Sequence, residues 1–470
     1  MDLACYVLGE RLTSDQWLEV RSPYDGHLVG RVALADAAAV ERAITGARAP
    51  APALSRYERS QILERARLLL EQRREEFAQL MSAESGLCLR ETRYEAGRTV
   101  DVLTAAAHEA LRDDGQMFAG DVSAQGKSRR IFTLREPLGL ALAITPFNHP
   151  LNQVSHKLAP AIAAGTPLIL KPSEKTPLTA LRFAALLYEA GLPGRMLSVL
   201  LGPTATVAAA LVRDPRVDLL TFTGSAAVGK AIAGAAGYKR LVLELGGNDP
   251  LIVLADADLD LAATLAAEGA YRNSGQRCTA VKRILVAEEV RAEFTRRLVD
   301  KTAEYISGDP ADPATRVGTV IDEPAARHLE AVLHRAVAAG ARVLTGGTRR
   351  GALLAPTVID QVPRDAEMVV CESFGPLAPI IGVRDLADAI ALANSTAYGL
   401  SAGVVTNHLP SALQAIRELR AGTVNINEVP GYRVENSPFG GIKDSGLGIK
   451  EGVIECAKLM TTVKTFSLPW

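Results

Sequence analysis

From about Pro137 onward, short apolar runs alternate with longer amphipathic stretches, and few folds accommodate such a pattern. Runs of this length separated by helical patterns are typical of parallel strands that are buried on both faces and joined by crossover helices. The pattern predicts an α/β fold with a parallel sheet. Its strands are LGLALAI (138–144), PLILK (167–171), MLSVLL (196–201), DLLTFTG (218–224) and LVLELGG (241–247).

A second set of apolar runs predicts a second α/β domain. From about Leu54 to Arg112, apolar residues recur at three- and four-residue spacing, which predicts a layer of long amphipathic helices. Two further segments, 127–137 and 460–470, read as isolated β segments that must pair elsewhere, in this chain or with another subunit. The second set comprises LIVL (251–254), RILVA (283–287), ARVLTG (341–346), LAPIIGV (377–383) and GTVNIN (422–427).

Composition excludes several classes of function. The 470 residues suffice for two or three domains, and 52 basic against 53 acidic residues give no reason to expect nucleic acid as a partner. The apolar runs are too short to span a bilayer, so no membrane association is expected. The N-terminus lacks the basic start of a signal peptide, and the five cysteines never occur in a CxxC spacing. We therefore expect a cytoplasmic protein without disulfides or a bound metal ion.

Three segments place reactive side chains at predicted strand ends or polar turns. NSGQRCTA (273–280) surrounds Cys278 with small and polar residues, and the adjacent Arg277 would favour a nucleophilic thiolate. The other four cysteines read as inert core residues. LELGGND (243–249) ends a strand on Glu244, where α/β sheets place their active sites, although strand-end acids are often caps. AITPFNHP (143–150) offers the Asn148 amide to an oxyanion, although an Asn in such a turn is often only structural.

Two segments suggest a nucleotide site. LKPSE (170–174) places Lys171 and Glu174 at a strand end, where they could bind ribose hydroxyls or form a plain surface turn. FTGSAAVGK (222–230) is a strand followed by GSxxxG and a helix, which offers backbone amides to a phosphate. Such a short glycine motif is weak evidence alone.

In chain order, these segments resemble the motifs of the aldehyde dehydrogenase superfamily along essentially the whole chain. The resemblance implies a Rossmann-type dinucleotide-binding domain (1–115 and 138–245), a second α/β catalytic domain (246–448) and a small β oligomerisation element (116–137 and 449–470). It identifies Cys278 as the nucleophile, Asn148 as the oxyanion donor and Glu244 as the general base. It also implies a homodimer or a dimer of dimers.

The same resemblance implies NAD as cofactor and a thioester intermediate on Cys278. Because coenzyme A-acylating members generally lack a glutamate at position 244, hydrolysis to a free acid is expected. The NAD contacts that the resemblance implies are Thr145, Pro146, Phe147, Lys171, Ser173, Glu174, Gly202, Gly224, Ser225, Val228, Leu245, Gly246, Glu372 and Phe374.

Charged residues near the thiol point to a small anionic aldehyde as substrate. An apolar tunnel would gain nothing from burying Arg98, His149 and Arg277, whereas an anionic group would satisfy them. Together with Thr279 they are the candidate substrate contacts. Other interpretations stay open: Arg98 could form a surface ion pair with Glu95 or Asp101, His149 could only cap a turn, and Arg277 could act on the thiol alone.

Within the superfamily, these positions and the strings TPFNHP, GQRCTAVKR and EVPGYR resemble the branch that oxidises phosphonoacetaldehyde to phosphonoacetate in 2-aminoethylphosphonate breakdown. The string ENSPFGG (435–441) departs from that branch, so Glu435 and Asn436 could alter substrate choice. Sulfoacetaldehyde, succinate semialdehyde and lactaldehyde are the alternative substrates. A non-catalytic dinucleotide-binding protein is a distant alternative, because such a protein would be expected to have lost Asn148, Glu244 or Cys278.

Overall fold

A computed structural model describes residues 1–470. The predicted helical layer is confirmed and comprises three helices after an N-terminal strand region. A capping box between Ser55 and Glu58 begins the first helix of the layer, and Gly86 ends the second in the left-handed conformation. The elements up to residue 137 are β1 (Asp2–Ala4), β2 (Tyr6–Val7), β3 (Glu10–Arg11), β4 (Trp17–Arg21), β5 (Leu28–Ala33), α1 (Ala37–Arg48), α2 (Arg56–Gln72), α3 (Arg74–Ser85), α4 (Leu89–Leu111), β6 (Met117–Ala119) and β7 (Arg129–Pro137).

The first predicted parallel sheet is confirmed. Its strand order is β12-β11-β8-β9-β10-β2-β3, with β2 and β3 added antiparallel at one edge. The chain leaves β8 toward β9 and returns on the other side with β11, so a topological switch point lies beside β8. Its further elements are β8 (Ala141–Ile144), α5 (Asn152–Ala164), β9 (Leu168–Lys171), α6 (Pro177–Glu189), β10 (Leu197–Val199), α7 (Ala208–Arg213), β11 (Leu219–Thr223), α8 (Ala226–Ala235) and β12 (Arg240–Glu244).

The second sheet has the order β15-β18-β19-β14-β13-β20-β21 and is parallel except for β15. A hydrophobic cluster covers each of its faces. Its region contains β13 (Pro250–Val253), α9 (Leu259–Tyr271), β14 (Arg283–Ala287), α10 (Glu288–Thr302), α11 (Glu323–Ala338), β15 (Arg342–Thr345), β16 (Arg349–Arg350), β17 (Leu353–Leu354), β18 (Thr357–Asp360), α12 (Glu367–Val370), β19 (Leu377–Val383), α13 (Leu386–Asn394), β20 (Ser401–Val405), α14 (Leu409–Glu418) and β21 (Thr423–Ile426).

The two isolated β segments pair with each other. Strand β22 (Thr461–Pro469) runs antiparallel to β7, and β6 completes a separate three-stranded sheet. One boundary needs correction, because 449–470 is not β throughout. Residues Val453–Leu459 form helix α15, whose Val453 and Cys456 are buried in the core of the first sheet. No helix of the structure combines the length and apolarity needed to cross a membrane.

Candidate active site

The carboxyl ends of the first sheet's strands lie level with one another. The register pairs Ile144 with Lys171 and Thr223 with Glu244, so the predicted strand-end residues share one edge of the sheet. A segment of the second region, between α9 and β14, carries Cys278. This arrangement is the usual position of a ligand site in an open α/β sheet.

The turn before Cys278 is backbone-strained. Asn273 (φ 57°) and Ser274 (φ 54°) both adopt the left-handed conformation, which non-glycine residues rarely adopt. Asn273 Nδ2 donates to the Asn148 carbonyl at 2.9 Å, and Asn148 Nδ2 donates to the Gln276 carbonyl at 2.8 Å. These two bonds fix the predicted oxyanion donor to the loop of the predicted nucleophile. They use one of the two N–H donors of the Asn148 amide and leave the other.

Cys278 is half-buried and lines a cavity of about 390 Å³. Cys5, Cys88 and Cys456 are buried, as expected of core residues, but Cys371 is exposed, so its assignment to the core was wrong. Cys371 directly follows the four-residue helix α12, which is too short for a hydrophobic period to predict whether the cysteine is buried.

Burial of the Cys278 thiol opposes the positive potential that was expected to favour its thiolate. Burial raises the pKa of Cys278 to about 11, and the nearby Lys282 and Arg433 cations oppose the rise only in part. Arg277, the sequence neighbour, instead directs Nη2 to the Gly269 carbonyl at 3.0 Å. Burial next to Arg272 lowers the pKa of Arg277 to about 10, so Arg277 remains a cation at neutral pH.

Lys282 was not identified from the sequence. Its buried ammonium donates to the carbonyls of Gly247 and Cys278, both at 2.6 Å, and lies 2.9 Å from Glu372 Oε1. Lys282 therefore connects the segment after β12, the thiol segment and a predicted cofactor contact. The sequence showed only a lysine four residues after the cysteine. This spacing does not predict the contacts of Lys282, because they depend on the surrounding loops.

Glu244 is 3% exposed, and neither carboxylate oxygen has a hydrogen-bond partner. A solvated strand end and a helix cap are both excluded by this environment. Burial, together with the charge of Glu451, raises the pKa of Glu244 well above its usual value. Gly440 is needed beside it, because a Cβ there would lie 2.6 Å from Glu244 Oε1. The neighbouring Glu451 pairs with the fully buried Lys157.

The predicted cofactor contacts lie along the same sheet edge. Lys171 and Glu174 form an ion pair after β9, and Ser225 caps α8, whose exposed N-terminal turn includes Val228. Two strand-end hydroxyls, Thr145 Oγ1 and Thr223 Oγ1, are buried without a hydrogen-bond partner. A carboxylate, a cation, a helix N-terminus and unpartnered hydroxyls fit the ribose and phosphate groups of a dinucleotide.

Several further cofactor contacts surround the turn after β12, whereas Pro146, Ser173 and Gly202 follow β8, β9 and β10, respectively. Glu372 Oε1 accepts the Gly247 N–H at 3.1 Å, and a Cβ on Gly246 would lie 2.1 Å from Glu372 Oε2. The close approach that these paired glycines permit is thus to a carboxylate of the chain itself. The ring of Phe374 (φ 56°) meets Phe147 edge-on with centroids 6.0 Å apart.

All four predicted substrate contacts, Arg98, His149, Arg277 and Thr279, line the cavity that Cys278 lines. The proposed surface pairing of Arg98 is wrong, because its Nε binds Glu435 Oε1 at 2.6 Å in a largely buried ion pair. His149 Nδ1 lies 3.1 Å from Glu95 Oε2. The Glu95 Oε1 atom also accepts the Leu151 and Asn152 N–H groups at the start of α5.

A further arginine in this cavity was missed. Arg433 follows β21, and its guanidinium lies 4.1 Å from the Phe439 ring centroid, with no carboxylate within ion-pair distance. Burial, and then the charge of Arg98, lowers its pKa. The string EVPGYR was visible in the sequence, but a loop has no periodicity that would predict where Arg433 lies.

Comparisons with known proteins agree on one family. The model of the aldehyde dehydrogenase family matches residues 11–466. A 3-sulfolactaldehyde dehydrogenase of Priestia aryabhattai is 39% identical, with 95% of this chain and 94% of the relative covered. The NADP-dependent glyceraldehyde-3-phosphate dehydrogenase of Bacillus halodurans, solved with NADP, has TM-score 0.96 and 33% identity over 100% and 99% of the chains. An NAD-dependent aldehyde dehydrogenase of Sinorhizobium meliloti has TM-score 0.94 and 35% identity over 100% and 95%.

Proposed function

Because this chain belongs to the aldehyde dehydrogenase family, we propose that it oxidises a small anionic aldehyde to the free acid with NAD as the hydride acceptor. One observation carries the proposal. Arg98, Arg277 and Arg433 line the cavity that also exposes the Cys278 thiol, and the last two have no carboxylate partner. A neutral aldehyde would leave Arg277 and Arg433 without a partner of opposite charge in this partly buried cavity, whereas an anionic aldehyde would supply one.

In the proposed mechanism, the Cys278 thiol transfers its proton to water, and the resulting thiolate sulfur attacks the aldehyde carbon. Lys282 and Arg433 are the cations that lower the thiol pKa against the effect of burial. The new C–S bond turns the carbonyl oxygen into an oxyanion, which the remaining Asn148 N–H and the Cys278 N–H stabilise. A nucleophilic thiol must stay reduced, which supports the expected cytoplasmic setting.

When it is bound, NAD would accept the hydride. Loss of hydride leaves a thioester on Cys278, and Glu244 then removes a proton from the water that hydrolyses it. Burial raises the pKa of Glu244 well above its usual value, which favours the protonated carboxyl, so the group must lose a proton before it acts as a base. The products are the acid and the regenerated thiol.

The preference for NAD over NADP rests on Glu174. Its carboxylate, paired with Lys171 at the end of β9, can accept hydrogen bonds from a ribose diol and would repel a 2′-phosphate. Solved relatives use either cofactor by name, so this part of the proposal depends on Glu174 alone.

Phosphonoacetaldehyde is the specific substrate that we propose first. Phosphonate approaches two negative charges at neutral pH, and Arg277 and Arg433 offer two cations without carboxylate partners. The guanidinium fork suits oxyanions of this kind.

A second candidate is a monoanionic aldehyde such as sulfoacetaldehyde or sulfolactaldehyde. It is supported by the Glu435 carboxylate, which already neutralises Arg98, and by the similarity to a sulfolactaldehyde dehydrogenase.

Steady-state NADH formation tests the proposal. One purified sample is given phosphonoacetaldehyde, sulfoacetaldehyde, succinate semialdehyde, lactaldehyde and acetaldehyde. We expect kcat/KM to be at least about 100-fold higher for the best anionic aldehyde than for acetaldehyde, as one buried ion pair provides. Equal values for acetaldehyde and the anionic aldehydes would contradict the proposal.

We also propose that the β6-β7-β22 sheet joins two copies of the chain. The nine-residue edge strand β22 is mostly exposed, carries Phe466 and Leu468 on one face and is followed directly by the exposed Trp470. An edge of this length with apolar side chains is normally covered by another chain.

A further inference from the structure

We propose that Glu435 is a positioning residue that sets the preferred substrate charge, by holding one edge of Arg98 and cancelling its positive charge. Removing the Glu435 charge should therefore increase the preference for dianionic over monoanionic aldehydes. This inference rests on the proposed oxidation of an anionic aldehyde. It concerns the relative kcat/KM of dianionic and monoanionic substrates.

The first support is the geometry of the Glu435 carboxylate. Oε1 accepts the Arg98 Nε–H at 2.6 Å, and Oε2 lies 2.5 Å from His156 Nε2. The side chain is 9% exposed, in a loop that we call the 428–438 loop, whereas its partners lie on α4 and α5. Both oxygens are thus fixed, and the charge is held at one place beside Arg98.

The second support is the position of Arg98 between two cavities. It lines the cavity of Cys278 and also an outer cavity of about 680 Å³, and only the outer cavity is lined by Glu435. Arg98 Nη2 is buried without a hydrogen-bond partner. Glu435 therefore binds the Nε atom and leaves a terminal nitrogen for an oxygen of the substrate.

The third support is the charge around the inner cavity. Arg272 is paired with Glu91 and Glu268, and Arg98 with Glu435, whereas Arg277 and Arg433 have no carboxylate partner. Although burial alone raises the pKa of Glu435, the hydrogen bonds from His156 and Arg98 hold that pKa well below its usual value. Glu435 is therefore a permanent negative charge, and its burial limits screening by salt.

The test compares substrates that differ mainly in charge. Wild type and Glu435→Gln are assayed at alkaline pH with phosphonoacetaldehyde (dianion), sulfoacetaldehyde (monoanion) and acetaldehyde (neutral). Gln is isosteric and keeps a hydrogen bond to Arg98. We expect the kcat/KM ratio of phosphonoacetaldehyde to sulfoacetaldehyde to rise roughly tenfold, mainly through KM, while the value for acetaldehyde stays within about twofold.

Two further variants serve as controls. Glu435→Asp keeps the charge and should return the ratio toward the wild-type value. Asp101→Asn removes an exposed carboxylate that lines the outer cavity without an ion pair to Arg98, and should change the ratio far less than Glu435→Gln, because solvent and salt screen its charge.

Several outcomes would overturn the inference. Equal loss for all three aldehydes in Glu435→Gln would mean that Glu435 only holds the loop. An unchanged ratio, with wild type still preferring anions over acetaldehyde, would overturn the inference alone. Wild type that does not prefer anions would overturn the proposed function as well. If Glu435→Gln does not fold, Arg98→Met must lower the same ratio about tenfold, and failure to do so overturns the inference.

Discussion

At the scale of single residues, the half-buried Cys278 thiol leads to a prediction about pH. Its pKa is raised to about 11 by burial, and only the thiolate reacts with an alkylating agent. The thiolate fraction should therefore rise with pH up to that value. In a Cys371→Ser background, which removes the exposed cysteine, iodoacetamide inactivation without cofactor should accelerate about tenfold per pH unit between about pH 7 and 9.

The double variant Cys278→Ser, Cys371→Ser should be inactive, so it serves as the blank for the rate of alkylation measured in parallel by intact mass. A plateau of the inactivation rate below about pH 8 would show that the resting thiol is already ionised.

Sequence reasoning found residues whose position follows from strand ends. Asn148 and Glu244 end or follow buried strands, so their common edge could be predicted, and the structure places them there. Arg433 and Lys282 were missed because loop geometry determines where their side chains lie. Arg277 was expected to favour the thiolate, but the effect of burial on the thiol pKa outweighs the nearby positive charges.

At the scale of elements, the start of α5 depends on a carboxylate from α4. Glu95 Oε1 accepts the Leu151 and Asn152 N–H groups at 2.8 and 2.9 Å. Glu95→Ala leaves both buried donors unpaired and should lower the free energy of unfolding by about 2–4 kcal/mol, as measured by urea denaturation. It should also reduce kcat, because Asn148 and His149 directly precede this helix.

Glu84 offers a matched control for this prediction. It accepts the Leu178 and Thr179 N–H groups at 2.9 and 3.0 Å at the start of α6. Glu84→Ala should cost similar stability with a smaller effect on kcat. Equal kcat losses in the two variants would contradict a specific role of Glu95 in placing Asn148.

The two parallel sheets could be expected from the alternation of strands with helices, but two features of single elements could not. Strand β15 is an edge strand that pairs antiparallel with β18, and most of its residues are exposed. Helix α15 was hidden in a segment interpreted as β, since its seven residues are too few to show a helical period.

At the scale of the whole molecule, the β6-β7-β22 sheet leads to a prediction about assembly. Leu468 is 49% exposed and Trp470 is 73% exposed, beside Phe466, which stacks on Phe132. We expect the wild type to elute as a dimer or a dimer of dimers in size-exclusion chromatography with light scattering. Phe466→Asp combined with Leu468→Asp should yield smaller species, because it places charge on the face that we propose to be covered.

Tyr238→Asp is the control, since Tyr238 is fully exposed outside this sheet. A monomeric wild type, or unchanged assembly of the double variant, would contradict the proposed interface.

Part of the proposed aldehyde recognition lies on a stretch of the chain that carries none of the proposed chemistry, although His149, Arg277 and Thr279 adjoin the reacting groups. Asn148 and Glu244 lie at strand ends, whereas Arg433 and Glu435 lie on the 428–438 loop. A duplicated gene that gathered mutations in this loop would acquire a new substrate with its thioester chemistry intact. The same number of mutations at the strand ends would abolish catalysis. The loop is thus the place where descendants of this enzyme can diverge most readily.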